Sequence, residues 1–530
     1  MFKCSALVLG LAVTGFASAA EPVDLDMANR IRQQAFHHSQ VMDIASHLTV
    51  DIGARLSNSP QMAAAIDWTQ GKFKAWGLSN VHAEPFADFG RGWEFRDASV
   101  VMLSPRQMPL HALPEAWTPG THGAVEGEVM QVKIEDKDDL KQYEGKLKGK
   151  IVLLDEARAY ERSDKPDSQR DSAQDLRDMQ AFEVPAEAGD QREKWLGRYL
   201  KRKELTKAIN TFFAEQGVLA TLSISSRDDG IIRATGGGSR KAGEPVGVPS
   251  LVMMAEHYND LTRLLAEKQP VKLKINVDAR FTSDSNQPGY NTVAEIPGSG
   301  RSADEVVMLG AHMDSWHTGT GAADNAAGVA VMMEAMRILK TIGVKPKRTI
   351  RVALWDGEEQ GLIGSNAYVA KHFGHYPEPT DPAQKALPAF FRKPTGALQK
   401  TAEYDRLAAY FNLDNGSGRI RGIYAQENLA AAPIFASWLQ PFHDVGATTV
   451  TSRNTGSTDH IAFDRIGLPG FQFIQDDLDY FSHVHHTHLD TYDHLEAADL
   501  KQAAAIVAWF AWNAANRAER LPRKPLLQTD

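Results

Sequence analysis

The spacing of apolar residues divides the chain into three zones. In residues 25 to about 80, the segments VMDIASHL and MAAAIDWTQGKFKAWGL carry apolar side chains at helical spacing, and the strand-like VHAEPFADF follows. From about 119 to 281, short glycine-bounded runs such as GKLKGKIVLL and the alternating VKLKINVDARF predict β-strands. From about 286 to 530, apolar strands alternate with helices, which predicts a sheet covered on both faces.

These patterns predict an α/β fold in two parts. Residues 21–118 and 286–530 are expected to form one domain, in which helices flank a mixed, mostly parallel central sheet. Residues 119–285 are expected to form a β-rich insert. Within the insert, about residues 157–205 are rich in both charges and poor in apolar residues, which indicates solvated helices or a mobile excursion without a catalytic role.

The first residues have the pattern of an export signal. Lys3 precedes the apolar run SALVLGLAVTGFA, and residues 17–19 form an A-x-A cleavage pattern. A membrane anchor is the alternative, but the apolar run is short for a span and no second run follows. We therefore expect residues 1–20 to be a cleaved signal peptide, and the protein to be periplasmic or secreted without a stable membrane span.

Composition argues against several kinds of chemistry. Cys4 is the single cysteine and lies in the predicted signal, so the mature chain would lack disulfides, a cysteine nucleophile and thiolate ligands. The 58 basic and 67 acidic residues give a net charge of −9, which makes nucleic acid a poor candidate partner. Neither the G-x-S-x-G elbow of serine hydrolases nor the H-E-x-x-H motif of single-zinc peptidases occurs.

Polar residues follow the predicted strands of the third zone, where the chemistry of such sheets is located. The segment GAHMDSWHTGTGAADNAAG holds His312 and Asp314 two positions apart, so the carboxylate is placed to orient the imidazole. Asp324 in the same segment precedes a helix, and helix capping is its alternative role.

Three more carboxylates and a histidine-rich segment complete the set of candidates. Glu358 and Glu359 follow the next strand in DGEEQG, and Asp414 ends the strand-like AAYFNLDNGSG, where an Asp-Asn-Gly turn is the alternative. Residues 481–495, FSHVHHTHLDTYDHL, contain five histidines. By itself this segment is compatible with a metal site, a pH switch or a solvated loop.

Together these residues form the ligand set of a two-metal site. Two zinc ions that share one carboxylate and a water need two further protein ligands each. The chain offers His312, Asp324, Glu359, Asp414 and one of the clustered histidines, which leaves Glu358 to act as a base. Oxygen and imidazole donors suit zinc, and cobalt or manganese can substitute.

Four segments resemble the metal-binding blocks of the di-zinc exopeptidases, a family that includes bacterial leucyl aminopeptidases, plasma glutamate carboxypeptidase and the transferrin-receptor-related glutamate carboxypeptidase. The segments are GAHMDSWHTGTGAADNAAG, WDGEEQGLIGS, FNLDNGSG and HHTHLDT, in the family order. YEGKLKGKIVLL through VPSLVMMAEHYNDL resembles the protease-associated domain often inserted in this family. The resemblance implies a zinc-peptidase α/β/α sandwich that carries such an insert.

The resemblance also implies a role for each matched residue. The implied zinc ligands are His312 and Asp414 at one metal, Glu359 and His486 at the other, and Asp324 as the bridge. Glu358 matches the general base, and Asp314 matches the residue that orients His312.

A further segment, NTGSTDHIAFDRIGLPGF, resembles the family's loop near the substrate. Gly456, Ser457, Thr458 and Asp459 are candidate substrate contacts, with a capped helix start at Ser457 or Thr458 as the alternative. We expect an exopeptidase that removes amino-terminal residues from peptides, with a carboxypeptidase or dipeptidase as the alternative. A glutaminyl cyclase-like acyltransferase with one zinc and a non-catalytic receptor-like relative are rivals, but every expected ligand and the base are present. The oligomeric state stays open.

Overall fold

The structure is a computed structural model that describes residues 21–183 and 189–526. The predicted signal peptide, residues 1–20, lies outside the described residues. In the part of the chain that is described, no helix is both long enough and apolar enough to cross a bilayer.

The strands within these ranges are numbered in chain order. They are β1 Ser79–Gly90, β2 Trp93–Ser104, β3 Met108–Leu110, β4 Ala112–Pro114, β5 Val125–Gln131, β6 Lys150–Leu153, β7 Ala220–Ile224, β8 Ser250–Met253, β9 Lys272–Phe281, β10 Gln287–Ile296, β11 Val306–His312, β12 Thr349–Trp355, β13 Gly374–His375, β14 Gln399–Lys400, β15 Leu407–Asn412, β16 Ile420–Tyr424, β17 Thr449–Thr451 and β18 Gly470–Gln475.

The α-helices are numbered in the same way. They are α1 Leu25–His37, α2 Val41–Ser46, α3 Pro60–Ala75, α4 Ala173–Gln180, α5 Gly189–Gln216, α6 Ala255–Ala266, α7 Ala327–Thr341, α8 Ile363–His372, α9 Pro382–Lys385, α10 Ala432–Leu439, α11 His460–Asp464 and α12 Ala497–Asn516.

The central sheet has the strand order β1-β10-β12-β11-β15-β18-β16-β17. The four middle strands, β12, β11, β15 and β18, run parallel to one another. On the outer sides, β10 pairs antiparallel with β1 and β12, and β16 pairs antiparallel with β18. All residues of β11, β15 and β18 are buried, as expected for strands covered on both faces. The predicted α/β fold with a mixed, mostly parallel central sheet is confirmed.

Helices α7 and α12 cover one face of this sheet and pack against each other. Every residue of α7 from Ala327 to Leu339 is buried, and the many alanines of α12 allow a close approach to its neighbours. The Phe510 ring of α12 lies 5.2 Å from the Phe473 ring of β18 and 5.6 Å from the Phe411 ring of β15. This aromatic packing fixes the parallel strands whose ends carry the candidate ligands.

A second sheet has the order β3-β2-β9-β5-β6-β7-β8-β4 and a separate hydrophobic core that includes Trp93, Leu222 and Ile275. It is also mixed, because β5, β6, β7 and β8 pair in parallel while β2, β9 and β4 pair antiparallel. Its strands lie on both sides of residue 119. The domain boundaries proposed from the sequence stay a prediction, as does the protease-associated character of the insert.

The charged segment at about residues 157–205 contacts the loop after β18 and helix α12. Gln169 exchanges two main-chain hydrogen bonds with Leu478, at 2.9 and 2.8 Å. Arg170 donates to Asp476 at 2.8 Å and to Asp499 at 2.6 Å, and both carboxylates are buried. These bonds hold the segment beside the loop that follows β18.

The buried contacts of α7 lead to a stability prediction. Leu339→Ala should destabilise the protein by about 2 to 5 kcal/mol, because Leu339 is fully buried in the core between helix and sheet. Leu429 is 71% exposed, so Leu429→Ala is the matched control and should change stability little. Urea unfolding of both variants measures the difference, and equal midpoints would contradict the described packing.

Candidate metal centre

The candidate ligands lie at the carboxyl ends of neighbouring strands of the central sheet. His312 is the last residue of β11, Glu359 follows the end of β12, and Asp414 follows the end of β15. His486 reaches the same place from the long loop after β18. Because these strands run parallel, their ends meet at one edge, and residues far apart in the chain become neighbours.

Asp324 lies between the two histidines. Its Oδ1 is 3.2 Å from His312 Nε2, and its Oδ2 is 3.4 Å from His486 Nε2. The backbone of Asp324 is not helical (φ −124°, ψ 86°), and the N-cap of α7 is Ala326, so Asp324 does not cap that helix. One carboxylate therefore offers an oxygen to each histidine.

Each histidine has a second carboxylate beside it. Asp414 Oδ1 is 3.5 Å from His312 Nε2, and Glu359 Oε2 is 3.0 Å from His486 Nε2. The structure thus brings the five predicted ligands together in two half-sites that share Asp324. This is the arrangement that two metal ions with one bridging carboxylate need.

The buried oxygens of this cluster fit a divalent cation. Asp324 Oδ2 and Glu359 Oε1 are buried and have no hydrogen-bond donor among the described residues. Burial and the neighbouring Asp324 carboxylate raise the pKa of Glu359 well above its usual value, and burial likewise raises the pKa of Glu358. Carboxylates without water or donors are costly unless a cation compensates them, so the residues present suit a metal.

The ring of His312 is oriented by Asp314, but through the main chain. His312 Nδ1 donates to the carbonyl oxygen of Asp314 at 2.9 Å, which leaves the Nε2 lone pair directed at the carboxylates. The Asp314 side chain instead accepts from the backbone N–H groups of Glu358 at 3.1 Å and Glu359 at 3.3 Å. Asp314 therefore connects the turn that carries both glutamates to the loop after His312.

The other clustered histidines differ in their surroundings. His485 lies beside the centre, with its ring 3.8 Å from that of His486, and its pKa is lowered to about 4 by burial and by His486. His483 contacts Ser482, His488 bonds to Ile232, and His494 contacts Asp479. These last three contacts lie outside the ligand cluster.

In the predicted substrate loop, Gly456 and Ser457 are exposed, whereas Thr458 and Asp459 are buried. Thr458 accepts a hydrogen bond from Asn412 at 3.0 Å. Burial raises the pKa of Asp459 to about 7. The N-cap of α11 is Asp459, which makes no side-chain cap bond, so neither Ser457 nor Thr458 caps this helix. Contact between this loop and a substrate stays a prediction.

Two buried residues that were not proposed as site residues hold the ligand loops. The Asp490 carboxylate accepts from the backbone N–H groups of Ala323 at 2.6 Å and Asp324 at 3.2 Å, which positions the bridging residue. Burial and Asp324 raise the pKa of Asp490 to about 8. Asp490 and Thr491 are the last two residues of the segment HHTHLDT. The resemblance of this segment to a metal-binding block does not by itself indicate that Asp490 holds the backbone at Asp324.

Arg55 is the second of these residues, and it is fully buried. Its guanidinium donates to five main-chain carbonyl oxygens: those of Leu48, Gly53, Met313, Thr320 and Gly321. Three of these belong to the loop between His312 and Asp324. Burial lowers the pKa of Arg55 to about 10, which leaves it charged at neutral pH. No local pattern in the sequence marks this arginine.

The α/β fold and the cluster of histidines and carboxylates at its strand ends are those expected of a metallopeptidase. Residues 291–511 match the family model of Peptidase family M28, so this part of the chain is a domain of that family. Carboxypeptidase Q of Bos taurus is 29% identical over 462 residues, which cover 87% of this chain and 82% of that protein.

Solved structures share the fold. A peptidase M28 precursor from Shewanella amazonensis aligns with a TM-score of 0.64 and 24% identity, covering 94% of this chain and 98% of the other. A zinc aminopeptidase from Bacillus subtilis aligns with a TM-score of 0.53 and 18% identity, covering 90% and 95%. These two similarities extend over both sheets.

The role of Arg55 leads to a prediction. Arg55→Met should destabilise the protein by roughly 3 kcal/mol or more and weaken metal binding, because several buried carbonyl oxygens lose their donor. Arg96→Met, at an exposed arginine paired with Glu94, is the control. Thermal unfolding and metal titration measure both effects, and a variant that behaves like Arg96→Met would show that the loop does not need this guanidinium.

Proposed function

We propose that the protein is an exported, zinc-dependent exopeptidase that hydrolyses the terminal peptide bond of peptides. The observation that carries this proposal is the placement of Asp324 between His312 and His486, with a further carboxylate beside each histidine. The match of residues 291–511 to Peptidase family M28, and the similarity to proteins named carboxypeptidase Q and zinc aminopeptidase, support the same reaction class.

The ligands would divide between two zinc ions. His312 and Asp414 would hold one, Glu359 and His486 the other, and Asp324 would bridge them. When bound, such a metal pair supplies a Lewis acid that polarises the peptide carbonyl and makes water a stronger acid. Cobalt or manganese also suits this set of imidazole and carboxylate donors.

Glu358 is placed to move the protons of the reaction. It precedes the ligand Glu359, and the Asp314 carboxylate fixes the turn that carries both residues. Burial raises the pKa of Glu358 well above its usual value, and buried carboxyl groups with shifted pKa values are common at catalytic sites. Glu358 would take a proton from the attacking water and return it to the departing amine.

Contacts between the loop that joins β7 to β8 of the second sheet and the loop that carries His486 support cleavage at the end of a peptide chain. Ile232 and His488 are joined by two hydrogen bonds of 3.1 Å, and Arg233 pairs with Thr487 in a short β-bridge. The domain with the second sheet therefore borders the loop that carries His486. On the side of the His486 loop, a peptide that continues past the cleaved bond would meet these residues, whereas the end of a peptide chain would not.

Which end of the substrate is cleaved is a separate question. The sequence favours removal of amino-terminal residues, and this preference stays a prediction. A carboxypeptidase or dipeptidase is the second candidate. The specific observation in its favour is the guanidinium of Arg233, 3.0 Å from His486.

The assignment of Glu358 can be tested without disturbing the metals. Glu358→Gln should lower kcat by about a hundredfold to ten-thousandfold, because the amide cannot accept the proton, while the zinc content stays that of the native protein. Glu519→Gln, at an exposed carboxylate, should leave both quantities unchanged. Steady-state kinetics and elemental analysis give the two readouts. Full activity of Glu358→Gln would exclude this residue as the base.

The bridging role of Asp324 predicts a different outcome. Asp324→Asn should reduce the zinc content at both positions together, because each half-site loses an anionic oxygen. A chelator should inactivate the native protein, and added zinc should restore it. Loss of only one zinc per chain from the variant would argue against a shared ligand.

A further inference from the structure

A cationic cavity lies beside the turn that carries Glu358 and Glu359. It has a volume of about 630 Å³ and is bordered by α5, the loop between β7 and β8, the start of α8 and the segment that contains α9. Among the described residues, no aspartate or glutamate lines it, and none of the five candidate ligands does so. Five basic residues line it: Lys203, Arg240, Lys241, Lys385 and Arg392.

Arg240 is fixed in the wall of this cavity through its main chain and its side chain. Its carbonyl oxygen accepts from the N–H of Arg91 at 2.7 Å, and its guanidinium lies 4.5 Å from the centre of the Phe89 ring. Its Nη1 is buried without an acceptor, and no described carboxylate forms an ion pair with it. Burial lowers the pKa of Arg240 to about 10, which leaves it charged at neutral pH. A largely buried cation without a counter-ion favours an anionic ligand.

Gln360 contributes a second unpaired donor to the same cavity. Its Oε1 accepts from Ser57 Oγ at 3.0 Å, whereas its Nε2 is buried and has no acceptor among the described residues. Arg240 and Gln360 belong to segments that are far apart in the sequence, and both line the cavity. Buried donors are normally paired, so an acceptor held in the cavity would account for both.

The charges around these two donors indicate an anion with more than one negative charge. Arg392 has the exposed carboxylate of Glu378 at 2.7 Å, but Lys203 and Lys385 have no ion pair with a described residue. Guanidinium and ammonium groups both donate several hydrogen bonds, and those to oxyanions are strong. The volume of the cavity is also larger than a single monatomic ion would fill.

The Phe89 ring connects Arg240 to the turn of the two glutamates. A methyl group built on Gly357 would lie 3.4 Å from this ring, so the ring packs against the residue before Glu358. Gln360 is the residue after Glu359. An anion held by Arg240 and Gln360 would therefore be connected to both ends of this turn.

We propose that this cavity binds a small multivalent oxyanion of the sulfate or phosphate type through Arg240 and Gln360, and that the bound anion steadies the turn that carries Glu358 and Glu359. The site is separate from the candidate metal centre, because no candidate ligand lines the cavity. The inference goes beyond the proposed peptidase function, since the anion is neither the substrate nor a metal ligand.

A titration with sodium sulfate tests the binding, with sodium chloride at equal ionic strength as the reference. The Tm of the native protein should rise by a few degrees and reach saturation, because the anion binds only the folded state. Arg240→Met should raise the half-saturating sulfate concentration by about tenfold or more, since a charged donor is lost. Methionine can keep the contact with Phe89 and leaves no buried donor unpaired.

A second variant checks the position of the site from the opposite wall. Lys385 is exposed at the end of α9, so Lys385→Gln should fold normally and raise the half-saturating concentration by roughly threefold. Lys74→Gln, at an exposed lysine of α3 outside the cavity, should behave like the native protein. The general stabilisation of proteins by sulfate should be the same in every variant.

Hydrogen exchange tests the effect on the turn. Sulfate should slow the exchange of backbone amides in residues 357–362 of the native protein by severalfold, and should have no such effect in Arg240→Met. Saturable binding without this protection would overturn the coupling between the anion and the turn.

The remaining outcomes are distinguishable. An equal response to sulfate in all four proteins would mean an adventitious ion only, and a response lost in Arg240→Met but unchanged in Lys385→Gln would place the anion outside the cavity. Either result would overturn the site. If sulfate had no effect, but Arg240→Met removed a preference for dipeptides with glutamate over glutamine, the anion would be a substrate side chain and the separate site would fall. The sulfate titration needs no hydrolysis, so failure of the proposed function would leave its result unaffected.

Discussion

The crowding of buried carboxylates at one edge of the central sheet is the constraint on which the rest of the structure depends. Asp324, Glu359 and Asp414 each lie 3.0 to 3.5 Å from His312 or His486. Two of their oxygens, Asp324 Oδ2 and Glu359 Oε1, have no donor among the described residues. Such a cluster repels itself strongly unless cations or protons compensate it. The pKa values of Glu358 and Glu359 are raised by burial and by repulsion from the neighbouring carboxylates, and a metal pair would reduce this repulsion.

The protein holds this unfavourable arrangement through its main chain. Arg55 binds the carbonyl oxygens of the loop before Asp324, Asp490 binds the N–H groups at Asp324, and Asp314 binds those of the two glutamates. Each of these side chains is buried and acts on backbone atoms rather than on the ligands themselves. The candidate ligands are therefore held by main-chain contacts to buried side chains, an arrangement that would favour metal binding.

Residues that join strands of the second sheet border the candidate metal centre and place a positively charged side chain beside it. Ile232 and Arg233 contact His488 and His486 in the loop after β18. Arg170 of the charged segment binds Asp476 at the start of the same loop. The residues that border the candidate metal centre limit what can reach it, and here they include the guanidinium of Arg233.

The sequence by itself determined the alternation of strands and helices, the polar residues at the strand ends, and the order of the four metal-binding blocks. Those signals are local, because burial imposes a period on each strand and helix and the motifs are short. Only the tertiary structure decided that Arg55 and Asp490 support the loops, that Asp314 acts through the turn of Glu358, and that Arg233 reaches His486. Arg55 binds carbonyl oxygens, which every residue has, and Arg233 meets His486 across 253 positions. No sequence pattern marks such contacts, because they arise only when separate domains and loops pack together.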